Sequence, residues 1–268
     1  MNFGLYFKNS VKFTYETFLG ERIRGVIFII LGIGLGIISL FNPDPAPLSA
    51  FTAQWRGLYW LVFISLWFFI NAIFMGYEIR ILRGGQNPPG FDHIGPLLKD
   101  GIESEIISCV WIIPVFITSL MIIQLFPPLQ NLVLAGFIIA LIIFLIPMIL
   151  ISQFIFARTR SFFDSLHSSK IRVLICNLGL KNFFFTYGVG IVFFIALIIL
   201  DAILKSVLPL ITSGDTFSVI YSIFISFLFL ILGVLFDKFL TSVFENSGVN
   251  FSAYSKRDSL RDGFLEVN

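Results

Sequence analysis

A histidine and four carboxylic acids lie close together in and just after the polar stretch between residues 76 and 101. Groups of this kind can bind a metal ion or activate water for the hydrolysis of a phosphate ester. Their spacing, however, matches no metal-ligand or hydrolase motif, which favours roles in a solvated loop and at a helix end. The sequence therefore predicts no catalytic or metal-binding residue here. The five residues are Asp92, His93, Asp100, Glu103 and Glu105.

The other reactive side chains are dispersed. Cys109 and Cys176 lie 67 residues apart, which favours small apolar packing residues over a disulfide framework or a zinc site. The second histidine, His167, belongs to no cluster with metal-ligand spacing, and the chain has no GxSxG or phosphate-binding loop motif. We therefore expect no cofactor, and the sequence favours a protein that is not an enzyme.

The composition is typical of a protein embedded in lipid. The chain is 57% hydrophobic and 13% charged, with a mean hydropathy of +0.94. Soluble domains are about 25% charged, so this chain cannot cover its surface with polar groups. Its net charge of +2 is too small to indicate a nucleic-acid partner. Membrane lipid is the expected partner, with other membrane proteins or further copies of the chain as additional ones.

Six apolar segments predict an all-α integral membrane bundle, because about 20 apolar residues span a bilayer as a helix. Residues 1–240 form one transmembrane domain in this interpretation, and residues 241–268 form a polar cytoplasmic tail. The helices are predicted at about 25–41, 58–78, 103–125, 130–157, 182–204 and 216–237.

Lysine and arginine predict the orientation, because cytoplasmic loops carry an excess of them. Sixteen of the 18 basic residues fall in the N-terminal segment, the loops at 78–102 and 158–181, and the C-terminal tail. Only Arg56 and Lys205 remain for the other side. We expect a multi-pass protein of the cell membrane with both termini in the cytoplasm.

The six spans form three hairpins, and each hairpin follows an amphipathic segment that suits a membrane interface. These segments begin at Phe3, Phe91 and Phe162. The chain is therefore interpreted as three copies of one unit, an interfacial helix followed by two spans. In the second segment, Asp100 and Gly101 are expected to form an elbow turn that leads into the third span.

Three features within the spans concern helix packing and transport. Gly32 and Gly36 have the spacing that lets two membrane helices approach closely. Asn71 is expected to form a hydrogen bond with another helix. The deep parts of the spans are expected to lack charge, with Glu78 and Asp237 at cytoplasmic ends, which argues against an ion-coupled transporter.

Arg80 is the best candidate for a structural ion pair, because it lies at the same expected depth as Asp237. Asp100 and Glu103 are alternative partners for Arg80. A different hypothesis is that Arg80, Arg83 and Lys99 bind anionic lipid headgroups, as basic clusters beside membrane spans often do.

Two groups of residues carry a resemblance to a family. The first is Gly76-Tyr77-Glu78-Ile79-Arg80 at the end of a span, followed by a Gly/Pro loop, by Leu98-Lys99-Asp100-Gly101 and by a proline in the next span. The second is Ala157-Arg158 with Phe162-Phe163 before a long span. From about residue 3 to about 240, the chain resembles an uncharacterised archaeal membrane family of the methanogen type, a domain-of-unknown-function family. The resemblance implies six spans and an archaeal source, and it implies no activity.

These observations favour a non-enzymatic structural or accessory membrane protein. The alternative is a channel or carrier for a small or apolar solute, and a membrane-bound lipid enzyme has the least support. A pore lined by Asn71, Gln124 and Gln153 would favour transport. A pocket that gathers His93, Asp100 and Glu103 would favour the enzyme, and a closed apolar bundle would favour the accessory role.

Overall fold

The protein is described here by a computed structural model that covers residues 2–40, 53–207 and 215–246. These ranges are almost entirely helical and contain no strand, which confirms the predicted all-α class. The helices are α1 (Phe3–Tyr15), α2 (Arg22–Leu40), α3 (Ala53–Leu82), α4 (Ile94–Leu125), α5 (Gln130–Ala140), α6 (Ile146–Thr159), α7 (Phe162–Leu166), α8 (Ser168–Leu178), α9 (Leu180–Val207) and α10 (Asp215–Glu245).

Within the described ranges, five helical stretches are long and apolar enough to cross a membrane. The third of them begins with a 3₁₀ turn (Pro127–Leu129) before α5, and a π-helical segment (Leu141–Leu145) joins α5 to α6. The first predicted span, at about 25–41, forms helix α2, which is not among these five. The five stretches are Leu61–Leu82, Ile94–Leu125, Pro127–Thr159, Leu180–Leu204 and Val219–Glu245.

Two helices continue past the ends that the sequence predicts. Helix α3 ends at Leu82 instead of residue 78, and α10 ends at Glu245 instead of residue 237. The prediction ended these helices at Glu78 and Asp237 because both residues are charged. In the structure both side chains lie inside the packed part of the bundle. Residues 241–245 of the predicted tail therefore belong to α10, and residues 247–268 lie outside the described ranges.

Asp100 and Gly101 lie inside α4, which corrects the prediction of an elbow turn. A methyl group on Gly101 would lie 1.7 Å from the carbonyl oxygen of Ala72, and one on Gly76 would lie 2.0 Å from that of Leu97. The two glycines thus allow the backbones of α3 and α4 to touch. Because α4 is continuous from Ile94, the second interfacial segment is not a separate helix, unlike the first (α1) and the third (α7 and α8).

Helix α10 is the centre of the bundle and packs against α1, α2, α3 and α9. Gly32 and Gly36 lie at its contact with α2, where a methyl group on Gly36 would lie 2.5 Å from Cα of Ile223. Two apolar clusters meet along α10. One contains Phe154, Leu174 and Phe244 among others, and the other contains Phe28, Phe74, Tyr77, Leu230 and Val234 among others.

Candidate functional site in the polar interior

A carboxylic acid lies well inside helix α4. Glu105 comes eleven residues after the first residue of α4, which is about 17 Å along the helix axis. Its side chain is buried, and the amide of Asn71 on α3 donates a hydrogen bond to its Oε1. The expected interhelical hydrogen bond of Asn71 is thus present, and its acceptor is a carboxylic acid within a candidate span. The expectation that these helices lack internal charge is therefore corrected.

Glu78 and Asp237 bring two more carboxylic acids to the same region. Glu78 lies four residues before the end of α3 and Asp237 lies eight residues before the end of α10, so neither is at a helix terminus. Glu78 interacts electrostatically with both Glu105 and Asp237. Asp237 is only 6% exposed, and its Oδ2 accepts no hydrogen bond from the described residues. Three helices therefore bring three acids to one region of the bundle.

A network of neutral polar side chains joins α4 to α6. The amide of Gln153 donates to the hydroxyl oxygens of Ser104 at 3.0 Å and Ser108 at 3.2 Å. The indole nitrogen of Trp111 donates to Oγ of Ser152 at 2.9 Å. These hydrogen bonds hold α6 against the side of α4.

Arg80 anchors the connection between α3 and α4. Its guanidinium group donates to the carbonyl oxygens of Gly90 at 2.7 Å and His93 at 3.1 Å. Within the described ranges it forms no ion pair with Asp237, which differs from the sequence-based expectation. The Arg80 side chain instead donates to carbonyl groups of the irregular segment between α3 and α4. Irregular backbone in a membrane protein needs such hydrogen-bond partners.

Arg83, and not Arg80, pairs with Asp100, which was one of the alternative partners expected for Arg80. Its two terminal nitrogens donate to the two carboxylate oxygens of Asp100 at 2.6 and 2.7 Å, a bidentate arrangement. Lys99 lies 3.9 Å from Glu103 and keeps a side chain that is 75% exposed. Of the three basic residues considered for lipid headgroups, Arg80 and Arg83 are thus occupied by contacts within the protein.

The other proposed site residues do not converge. His93 is exposed and precedes α4 in a left-handed conformation, while Asp100 and Glu103 pair with basic side chains. Gln124 is exposed and lies about 28 Å along α4 from Glu105, so it does not share a lining with Asn71 and Gln153. In the described part of the chain, no group of three His, Cys, Asp or Glu residues is arranged to hold a metal ion.

The all-helical fold and its five long apolar stretches, counted in the described ranges, are compatible with a multi-pass membrane protein. Residues 60–205, more than half of the 268-residue chain, match the model of a family described as "Protein of unknown function (DUF4013)". The chain belongs to this family, in agreement with its resemblance to a domain-of-unknown-function family. Comparisons with curated proteins and with solved structures found no match. The matched range contains Glu78 and Glu105, and Asp237 lies beyond it on α10.

Proposed function

We propose that this protein is a non-enzymatic structural or accessory component of an archaeal cell membrane. In this proposal six spans form three hairpins with both termini in the cytoplasm, and the outer surface contacts lipid, other membrane proteins or further copies of the chain. The supporting observation is that most buried polar side chains are hydrogen-bonded within the protein, either to backbone carbonyl oxygens or to one another. Asn71 binds Glu105, Gln153 binds Ser104 and Ser108, and Trp111 binds Ser152.

A cavity between α6, α9 and α10 supports the same interpretation. Its lining is mainly apolar, and its polar members are Thr186 and Tyr187. Their hydroxyl groups donate to the backbone carbonyl oxygens of Asn182 and Ile142. A hydrated path for polar solutes would instead need polar groups that face an opening.

Helix α1 supports a contact with the lipid surface. Its buried residues, among them Tyr6 and Phe13, pack toward the bundle, while Leu5, Phe7 and Val11 are exposed. Lys8 and Lys12 are also exposed on this short helix. Exposed apolar residues beside lysines favour a position at the boundary between acyl chains and anionic headgroups.

The proposed orientation can be tested with the two cysteines, since both are free and exposed in the described structure. Cys176 lies on α8, on the side proposed to face the cytoplasm. We expect a membrane-impermeant maleimide to label Cys176 in a Cys109→Ser variant only after the membrane is permeabilised. A Cys176→Ser variant reports the labelling of Cys109 and is the matched control. Labelling of Cys176 in intact cells would overturn the proposed orientation.

The accessory role can be tested by native mass spectrometry of the protein released gently from its own membrane, with liposome flux assays on the same preparation. We expect a fixed stoichiometry with a partner membrane protein or with further copies of the chain, and no solute flux. A lone monomer that carries solute across liposomes would overturn the proposal. It would support the second candidate, a channel or carrier for a small or apolar solute built around α4 and α6, which contain Pro114 and Pro147. The carboxylic acids inside the bundle favour this second candidate.

A further inference from the structure

Glu78 occupies a niche that a glycine leaves open. A methyl group on Gly233 of α10 would lie 2.6 Å from Oε1 of Glu78 and 3.0 Å from the ring of Phe74. The carboxyl group of Glu78 therefore lies directly against the backbone of α10. Asp237 follows Gly233 by four residues, which places it one helical turn further along the same face of α10.

The basic side chains at this end of the bundle bind other groups. Lys238 donates to the carbonyl oxygen of Gly85, and Arg80 donates to two loop carbonyls. Arg83 pairs with Asp100 at 2.6 Å, and Arg158 pairs with Glu245 at 2.8 Å. Among the described residues, none of these cations forms an ion pair with Glu78 or Asp237.

The helices that pack against α3 and α10 supply no cation either, as far as the structure describes them. Their charged side chains are paired nearby or exposed, and the tyrosine of α9 bonds to a backbone carbonyl. On α1 and α2, Lys12 pairs with Glu16, Arg24 pairs with Glu21, and Lys8 and Arg22 are exposed. On α4, Glu103 pairs with Lys99, and Glu105 binds Asn71. On α9, Tyr221 of α10 donates to Asp201, Tyr187 donates to the carbonyl oxygen of Ile142, and Lys181 is exposed.

Two neighbouring carboxylates without a cation are costly in a bundle surrounded by lipid, because each loses its hydration and each repels the other. A bound cation removes this cost. A metal ion requires several converging ligands, and the described residues offer no such arrangement. A proton needs one carboxylate oxygen, and Oδ2 of the buried Asp237 has no hydrogen-bond partner among the described residues.

We propose that Glu78 and Asp237 form a proton-binding site within the bundle. One carboxylate accepts a proton from water at the end of the bundle where α3 and α10 terminate and becomes a carboxylic acid, and it returns the proton when it ionises again. Glu105, held by Asn71, is a further acid that acts on Glu78, and its ionised form adds negative charge that favours the bound proton. The site is independent of the accessory role, since a protein with or without a transported solute can bind a proton here.

The test is infrared difference spectroscopy of the full chain in lipid nanodiscs, titrated through neutral pH in water and in deuterium oxide. We expect the wild-type protein to show the carbonyl band of a protonated carboxylic acid, with a shift in deuterium oxide. Asp237→Asn and Glu78→Gln should each lose this band. Glu245→Gln is the matched control, because it removes a partly exposed acid from the end of α10 and should retain the band.

Two further measurements separate proton binding from a folding defect and from sodium binding. Gly233→Ala retains every carboxylic acid but pushes Glu78 away from α10, so the band should move without disappearing, even if Asp237→Asn does not fold. Sodium added at constant pH should leave the band unchanged. The proposal is overturned if the band is absent at neutral pH, if it persists in both Asp237→Asn and Glu78→Gln, or if sodium removes it.

Discussion

Helix α3 presents two different faces to its neighbours. Toward α4, the backbones touch at Gly76 and Gly101, Asn71 binds Glu105, and Arg83 binds Asp100. Toward α10, Glu78 lies against Gly233, and Asp237 keeps an oxygen without a hydrogen-bond partner among the described residues. One face is closed by complementary groups, and the other brings like charges together.

The difference separates packing from a candidate function. A polar group that is satisfied on the neighbouring helix stabilises the bundle and needs no further explanation. An acid without a donor or a cation lowers stability, which makes it a candidate functional group. The following variants test whether the two faces of α3 differ in this way.

The largest effect is expected at the backbone contact between α3 and α4. Gly101→Ala would place a methyl group 1.7 Å from the carbonyl oxygen of Ala72, so the two helices must separate. We expect a loss of about 3 kcal/mol or more, as for severe overpacking, measured by thermal unfolding in detergent. Gly95→Ala on the same helix is the control, since nothing lies within 4 Å of the added group. Equal melting temperatures of Gly101→Ala and Gly95→Ala would contradict the close backbone contact between α3 and α4.

The second effect concerns the ion pair on the same face. Arg83→Ala leaves the carboxylate of Asp100, whose side chain is 14% exposed, without its bidentate partner. We expect a loss of about 2 kcal/mol in the same assay, because the uncompensated carboxylate keeps its desolvation cost. The double variant Arg83→Ala/Asp100→Ala removes both charges and should recover part of this loss. A loss in the double variant equal to the sum of the losses in Arg83→Ala and Asp100→Ala would show that the pair is not coupled.

The smallest effect is expected on the face toward α10. The hydroxyl group of Thr241 donates to the carbonyl oxygens of Asp237 at 2.8 Å and Ile81 at 3.3 Å. Thr241→Val keeps the shape of the side chain and removes this donor, so we expect a loss of about 0.6 kcal/mol, typical of hydrogen bonds between membrane helices. If Thr241→Val lowers the free energy of unfolding as much as Arg83→Ala, the polar contacts toward α10 stabilise the bundle as much as those toward α4. The proposed difference between the two faces of α3 would then be wrong.

The sequence predicts the helices well because long apolar segments leave few alternatives in lipid. It does not predict which acids meet, because the partners of Glu78 lie on α4 and α10, far away along the chain. Gly101 was also predicted wrongly, because an Asp-Gly pair is typical of a turn. In the structure Gly101 lies inside α4, where the contact with Ala72 requires a residue without a side chain. Asn71 was the best available signal, since a lone amide in an apolar span needs a partner.

The central position of α10 has a consequence for the order in which this protein is assembled. Helices α3 and α4 are separated by eleven residues, so their hairpin closes a short loop and can form soon after α4 is synthesised. Helix α10, which contacts α1, α2, α3 and α9, is the last helix in the described chain to leave the ribosome. Until α10 is synthesised, the glycine face of α2 and the niche for Glu78 lack the helix that covers them, so we expect these contacts to form after those between α3 and α4.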